Sequence, residues 1–311
     1  MKRFNRLRPA RRLTRRHRRG FARVDLCVVA TIFLLAFALA APATQLSRES
    51  ARRATCTDHL RQIGLALNQY VETTHYYPAV ITRIPKHHGW TPYALPFLGQ
   101  QTLFDRYDFS VHWCDPVNAD VIKTPIKQFE CPAATYPNRM AVGETQHPYQ
   151  GAVLDYLATN RVSPAVPSRG WLPESTEVKG VLSREEWCRT SDILDGQSHT
   201  TLIVEVAGTP AKYVFRQKEP EPMYRQRGFG AWADAAPYIQ GHGQQPNGRD
   251  WPGPCTINCT NDDAIYSFHP DGANFLFADG TVRYMSDNLD LFVLLAAITR
   301  ANGEVIDHQD W

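Results

Sequence analysis

Three stretches of the chain have distinct patterns of apolar and polar positions. From Leu26 to Ala43 the sequence runs 18 residues without a charge. As a helix rising ~1.5 Å per residue, that run is about 27 Å long, close to the ~30 Å core of a bilayer. From Glu49 to Tyr70 the pattern changes to an amphipathic helix. Ala51, Ala54, Leu60, Ile63, Leu67, Tyr70 and Val71 recur at three- and four-residue steps, with Arg52, Arg53, Asp58 and Arg61 mostly off that stripe. A stripe of this kind is expected to pack on the protein's own domain. Tyr76-Tyr77-Pro78 ends the helix, because a residue before proline is driven out of the α region.

Beyond residue 78 the signals are those of strands and turns. Thr201-Leu202-Ile203-Val204-Glu205 reads as a strand, entered from the Asp195-Gly196 turn. Phe275-Leu276-Phe277 and Val282-Arg283-Tyr284-Met285 read as a strand pair. They are bounded by Asp271-Gly272 and Asp279-Gly280, where Gly accepts positive φ and Asp bonds the neighbouring backbone. Leu289–Thr299 reads as a helix closed by Asn302-Gly303. The fold class expected is α+β.

Charge adds an orientation. The formal net charge of +3 is unevenly placed: residues 1–20 hold ten Lys/Arg and no acid, leaving 24 basic against 31 acidic side chains in the rest. A nucleic-acid-binding body is thereby excluded. Ten positive charges ahead of an apolar run predict a cytoplasmic N-terminus and an exported body, anchored by a single span. A cleaved signal peptide with its site near Ala40–Ala43 is the competing interpretation, for which the apolar run is long.

The junction Arg18-Arg19-Gly20-Phe21-Ala22-Arg23-Val24-Asp25-Leu26 resembles the processing site of type IV prepilins. The resemblance implies cleavage between Gly20 and Phe21 by a prepilin peptidase, with methylation of the new N-terminal Phe21. Asp25 becomes the fifth mature residue, where that family has Glu, and Pro42 the twenty-second. A carboxylate in an apolar helix costs several kcal/mol unless paired. Asp25 is therefore expected to pair with the N-terminal amine of a neighbouring subunit. Pro42 is expected to bend the helix on the exported side.

Further stretches resemble the prepilin-like proteins of unknown function that carry a C-terminal His-x9-Asp-Gly motif. They include Cys56-Thr57-Asp58-His59-Leu60, Trp113-Cys114-Asp115-Pro116, Phe129-Glu130-Cys131-Pro132, Ile193-Leu194-Asp195-Gly196, and Ser267-Phe268-His269 through Asp279-Gly280. Nine residues separate His269 from Asp279. The resemblance implies a pilin-like α+β fold: a long N-terminal helix, transmembrane in its first half and exported in its second, packed on an antiparallel β-sheet head with long loops. The division it implies is a basic leader at 1–20, a transmembrane part at 21–45, an exported amphipathic half at 46–75, and an extracytoplasmic head at 76–311 ending in the motif hairpin. Read from the residues alone, His269 serves either as a base or ligand or as a hydrogen-bonded loop anchor, the second being the ordinary role of a core histidine.

Candidate chemistry is sparse. Of seven cysteines, Cys27 lies in the anchor and six lie outside it, an even number in a disulfide-permissive compartment that allows fifteen connectivities. Cys255 and Cys259 are close enough to close a small loop and are the candidate disulfide. Zinc with His87, His88 or His112 is disfavoured, since no two cysteines stand at the C-x-x-C spacing. Asn261-Asp262-Asp263 offers oxygen ligands for calcium, but such a run is ordinarily a solvated turn. No nucleophile elbow, P-loop or His-Glu-x-x-His is present. No catalytic residue, metal or cofactor is assigned. The expectation is a non-enzymatic, single-pass inner-membrane protein with a cytoplasmic N-terminus and a periplasmic head. Its expected partners are the prepilin peptidase, the inner membrane, and further copies or other pilin-like subunits. The alternative is a membrane-tethered ligand-binding module that does not polymerise.

Overall fold

The computed structural model describes residues 23–83, 86–134, 137–143, 148–173, 176–222 and 230–304. The chain divides into two units, Met1–Arg48 and Glu49–Trp311. One helix, α1 (Arg23–Thr74), supplies the described part of the first unit and the opening of the second, and continues through Pro42. Within the first unit Leu26, Val28, Val29, Ile32, Phe33, Leu34 and Phe37 are all exposed. Among the described residues no helix is long and apolar enough to cross a membrane. The side chains at 35, 36 and 39–43, inside the Leu26–Ala43 run, are not among those described.

In the second unit α1 becomes a core element. Cys56, Leu60, Ile63, Ala66, Leu67 and Tyr70 are buried at three- and four-residue steps. Ala51 and Ala54, expected on the same stripe, are exposed. The packed face begins at Cys56; ahead of it the helix meets the covering sheet through a charged residue, Arg53, stacked on Tyr284.

That sheet has five strands: β1 (Tyr156–Val162), β2 (Thr201–Glu205), β3 (Tyr238–Gly241), β4 (Gly272–Phe277) and β5 (Val282–Ser286). Their order is β5-β4-β2-β1-β3. All neighbours are antiparallel except β3, which joins β1 in parallel with Ala158 opposite Tyr238. The architecture is mixed α+β with antiparallel-rich sheets, so the all-antiparallel head expected from the sequence is corrected at this one edge. The β4–β5 hairpin pairs Gly272 with Ser286 through to Leu276 with Val282. Asp279 accepts hydrogen bonds from the Thr281 amide (2.8 Å) and hydroxyl (2.7 Å). Gly280 adopts φ +83°, which an L-side chain rarely does.

Helix α2 (Leu291–Ile298) is capped by Asp290, whose carboxylate accepts from the Phe292 amide at 2.7 Å. It is apolar nearly all round and packs against β1, β2 and β3. A second part of the core is aromatic: Trp90, Phe129 and Trp232 lie edge to face or tilted, with ring centroids 6.2 and 6.3 Å apart. Both indole N–H groups find carbonyls, Trp90 on Pro237 at 3.2 Å and Trp232 on Thr124 at 3.1 Å. These tryptophans are structural, whereas Trp171, Trp187 and Trp251 remain exposed.

Candidate functional site: a buried Cys–Glu–His cluster beneath the C-terminal motif

Strand β2 ends in a residue that does not suit its surroundings. Leu202, Ile203, Val204 and Glu205 are all fully buried. A buried carboxylate must be hydrogen-bonded or paired, and Glu205 is both. Its Oε2 accepts from the side-chain amide of Asn274 at 3.0 Å and from the Asn274 backbone at 3.3 Å. Its Oε1 faces His269 Nε2 at 3.6 Å and Cys131 Sγ at 3.0 Å. Burial pushes the Glu205 carboxyl up, against the pull of His269 and Asn274.

His269 is fully buried just ahead of β4. Its Nδ1 lies 2.6 Å from Glu49 Oε1 on α1. A carboxylate only accepts, so Nδ1 carries a proton, and Nε2 faces Glu205 and Cys131. Glu49 is gripped from its other side by Arg52, at 3.0 and 2.7 Å. Partial burial pushes the Glu49 carboxyl up, but the His269 and Arg52 hydrogen bonds outweigh it and hold it below the ordinary range.

Cys131 completes the cluster. It is joined to Cys56 of α1 in a disulfide with Cα atoms 5.4 Å apart, closing a separation of 75 residues. Its backbone N–H donates to Asp155 at 2.7 Å, and Asp155 is ion-paired in the core with Arg139. The two sulfurs, a Glu205 oxygen and a His269 ring nitrogen all lie within 4.8 Å of one another. A cavity of about 480 Å³ lies alongside, lined in part by Cys131, His59, Glu130 and Thr55.

Hydrogen bonds and contacts continue up the helix from this cluster. Arg53 stacks over Tyr284 at 4.0 Å, Thr57 donates to Asn274 at 3.1 Å, and Gly64 faces Leu276. Asn68 stands beside Gly280. From Glu49 to Asn68 the helix advances about 28 Å, alongside a β4 of about 20 Å and its flanking turns. The two ends of the His-x9-Asp-Gly motif therefore do not meet in one site. His269 fixes one end of β4 to α1, and the Asp279-Gly280 turn sits on α1 at the other.

The chain matches, over residues 45–291, the model of a family described as "Protein of unknown function (DUF1559)". It belongs to that family. No curated protein and no solved structure matches it. The family match spans the whole cluster, from Glu49 to His269, and leaves out the apolar run.

The remaining sequence candidates sit elsewhere. Gly20 and Phe21 lie outside the described residues; Asp25 falls on the backbone of α1, but its side chain is not among those described. Asp195 accepts from the amides of Asn302 (3.0 Å) and Gly303 (2.6 Å), tying down the segment after α2. Gly196 supplies a φ of +93°. Cys255 is bonded to Cys259, while Cys27, Cys114 and Cys188 are in no disulfide. Of the histidines weighed for zinc, His88 lies between the Tyr107 hydroxyl (2.8 Å) and the Phe109 carbonyl (3.0 Å), His112 Nδ1 lies 3.1 Å from Cys114 Sγ, and the His87 and His112 rings pack 5.5 Å apart. Asn261 and Asp262 are committed to the Tyr213 amide and to Lys212; Asn261 is fully buried, so this is not the solvated turn expected from the sequence. Glu49, Cys56, Cys131 and Glu205 were not expected as a set. The one signal that pointed there was an acid closing the apolar run Leu202-Ile203-Val204.

Proposed function

We propose that the chain is a pilin-like, membrane-anchored structural protein of the cell envelope. In this reading prepilin peptidase cuts after Gly20, and the helix beginning at Phe21 stays in the inner membrane. The Glu49–Trp311 unit is then presented on the extracytoplasmic side. Assembly with further copies or other pilin-like subunits takes place through the anchor helices, with Asp25 offsetting the Phe21 amine. The role is structural rather than catalytic.

One observation carries the reading. In a single 52-residue helix, Leu26, Val28, Val29, Ile32, Phe33, Leu34 and Phe37 are exposed among the described residues, whereas Cys56, Leu60, Ile63, Ala66, Leu67 and Tyr70 are built into the core. Uncovered apolar surface of that extent calls for lipid or a partner helix. The family match is compatible with it. Mass spectrometry of the mature protein tests the proposal: a chain starting at a methylated Phe21 supports it, and an intact Met1 or a start beyond Ala43 sinks it.

The second reading, a tethered ligand-binding module that does not polymerise, draws on the cavity beside Cys131. Crosslinking between anchor helices separates the two. In the assembling protein it is strong and reduced by Asp25→Ala, and in the tethered module it is absent.

A further inference from the structure

The cluster of Cys56, Cys131, Glu205 and His269 gathers two sulfurs, a carboxylate oxygen and an imidazole nitrogen within 4.8 Å of one another, in the buried core. Cys131 Sγ lies 3.0 Å from Glu205 Oε1, and His269 Nε2 faces that same oxygen at 3.6 Å. All four side chains are of the kinds that ligate a transition metal.

The spacing suggests which metal. Zinc bonds of about 2.0–2.3 Å at the tetrahedral angle place ligand atoms about 3.3–3.8 Å apart. The Glu205–His269 and Cys131–His269 separations, 3.6 and 3.7 Å, fall in that range, and the Cys131–Glu205 separation of 3.0 Å is shorter and would have to open on binding. The outer shell also has the form that a zinc site uses. A metal-bound imidazole usually passes its other N–H to a carboxylate, and His269 Nδ1 does so to Glu49 at 2.6 Å. Glu205 Oε2 is held by Asn274, which leaves Oε1 for the metal. The neighbouring cavity reaches Cys131 and offers access.

We propose that, with Cys56 and Cys131 reduced, these four side chains form a site for Zn²⁺, made of two thiolates, a carboxylate and an imidazole, that replaces the disulfide in tying α1 to the head. A dithiol reductant transfers two electrons and two protons to the S–S bond and itself becomes a disulfide. The metal then displaces both thiol protons to solvent and binds two thiolates. Zinc and the crosslink are alternative occupants of one place, so the joint between helix and head survives in either redox state. The proposal is independent of prepilin processing.

The test uses the full-length protein in detergent, reduced with a dithiol, desalted without oxygen and titrated with Co²⁺. One equivalent should bind with thiolate charge-transfer and tetrahedral d–d bands, and Zn²⁺ should displace it. His269→Gln and Glu205→Gln, folded in the disulfide form before reduction, should each lose at least tenfold in affinity. Glu49→Gln should lose roughly 10–100-fold with the bands kept, the usual effect of an outer-shell partner. The proposal is overturned if the reduced wild type binds Co²⁺ no better than Cys131→Ser, or without a thiolate band. Far-UV circular dichroism showing the head to unfold on reduction despite saturating zinc overturns it as well, because a metal in that place would have held the joint.

Discussion

The docking of α1 on β4 includes one close approach that a double-mutant cycle can measure. A methyl group built at Gly64 would lie 2.8 Å from Leu276 Cδ1 and 3.5 Å from Cδ2. Gly64→Ala alone gains about 0.8–1.0 kcal/mol of helix propensity but forces Leu276 aside, an overpacking cost of about 1–3 kcal/mol. The net expectation is a loss of roughly 0–2 kcal/mol. Leu276 is fully buried, so Leu276→Ala should cost about 2–5 kcal/mol in transfer and cavity terms. With Leu276 already cut back, the methyl added by Gly64→Ala enters vacated space. Its clash disappears and the same substitution should stabilise by about 1 kcal/mol. The sign of Gly64→Ala thus reverses between the two backgrounds, with a coupling of about 1–3 kcal/mol, in the range of residues in direct contact. Denaturant unfolding of the full-length protein in mild detergent, followed by tryptophan fluorescence, reads all four corners. Equal effects of Gly64→Ala in both backgrounds, within about 0.5 kcal/mol, would refute the packing described.

Arg139→Ala should destabilise by about 3–5 kcal/mol in the same assay, because it strands Asp155 as a buried charge; a loss under about 1 kcal/mol would contradict the burial. Burial lowers the His88 imidazole below its ordinary value, outweighing the hydrogen bond to Phe109. The unfolded chain therefore takes up a proton that the folded one resists. This contribution is complete above about pH 6.5 and is lost as the pH falls from there toward the folded value. His88→Gln, whose amide can satisfy both Tyr107 and Phe109, should flatten the wild-type decline between about pH 7 and 5; parallel curves would argue against it. Asp195→Ala should speed hydrogen exchange at Asn302 and Gly303, with about 1.5–3 kcal/mol lost from that local structure, and unchanged exchange would show that the latch is idle.

The parts of the fold legible in the sequence are those whose pattern is local. The β4–β5 hairpin announces itself by two Asp-Gly pairs flanking apolar residues, although at the first of them Asp271 (φ +61°) and not Gly272 takes the positive φ, and α2 announces itself by its apolar run and Asn302-Gly303. The parallel edge was not legible, because pairing Ala158 with Tyr238 depends on where a long connection returns. The limits of the α1 stripe were misplaced at Ala51 and Ala54, since helical periodicity says which face is apolar but not where along it burial begins. The cluster was the hardest to see. Cysteine counting favours near neighbours such as Cys255 and Cys259, and nothing local joins Cys56 to Cys131 across 75 residues. His269 was readable as a fixed core histidine; its partner Glu49 was not, because it lies 220 positions away.

The side-by-side run of α1 and β4 also limits how this head can vary in length. A strand advances about 3.3 Å per residue and a helix about 1.5 Å. Lengthening β4 by one residue would turn its inward side chains outward. The smallest tolerable insertion is therefore two strand residues, about 6.6 Å, which the helix can match only with about four residues, close to one full turn. Any such change must fall in both elements at once, between the point where Glu49 meets His269 and the point where Asn68 meets Gly280. The nine residues between His269 and Asp279 thus satisfy a commensurability condition between two different repeats, and a change in only one of them would shear the joint apart.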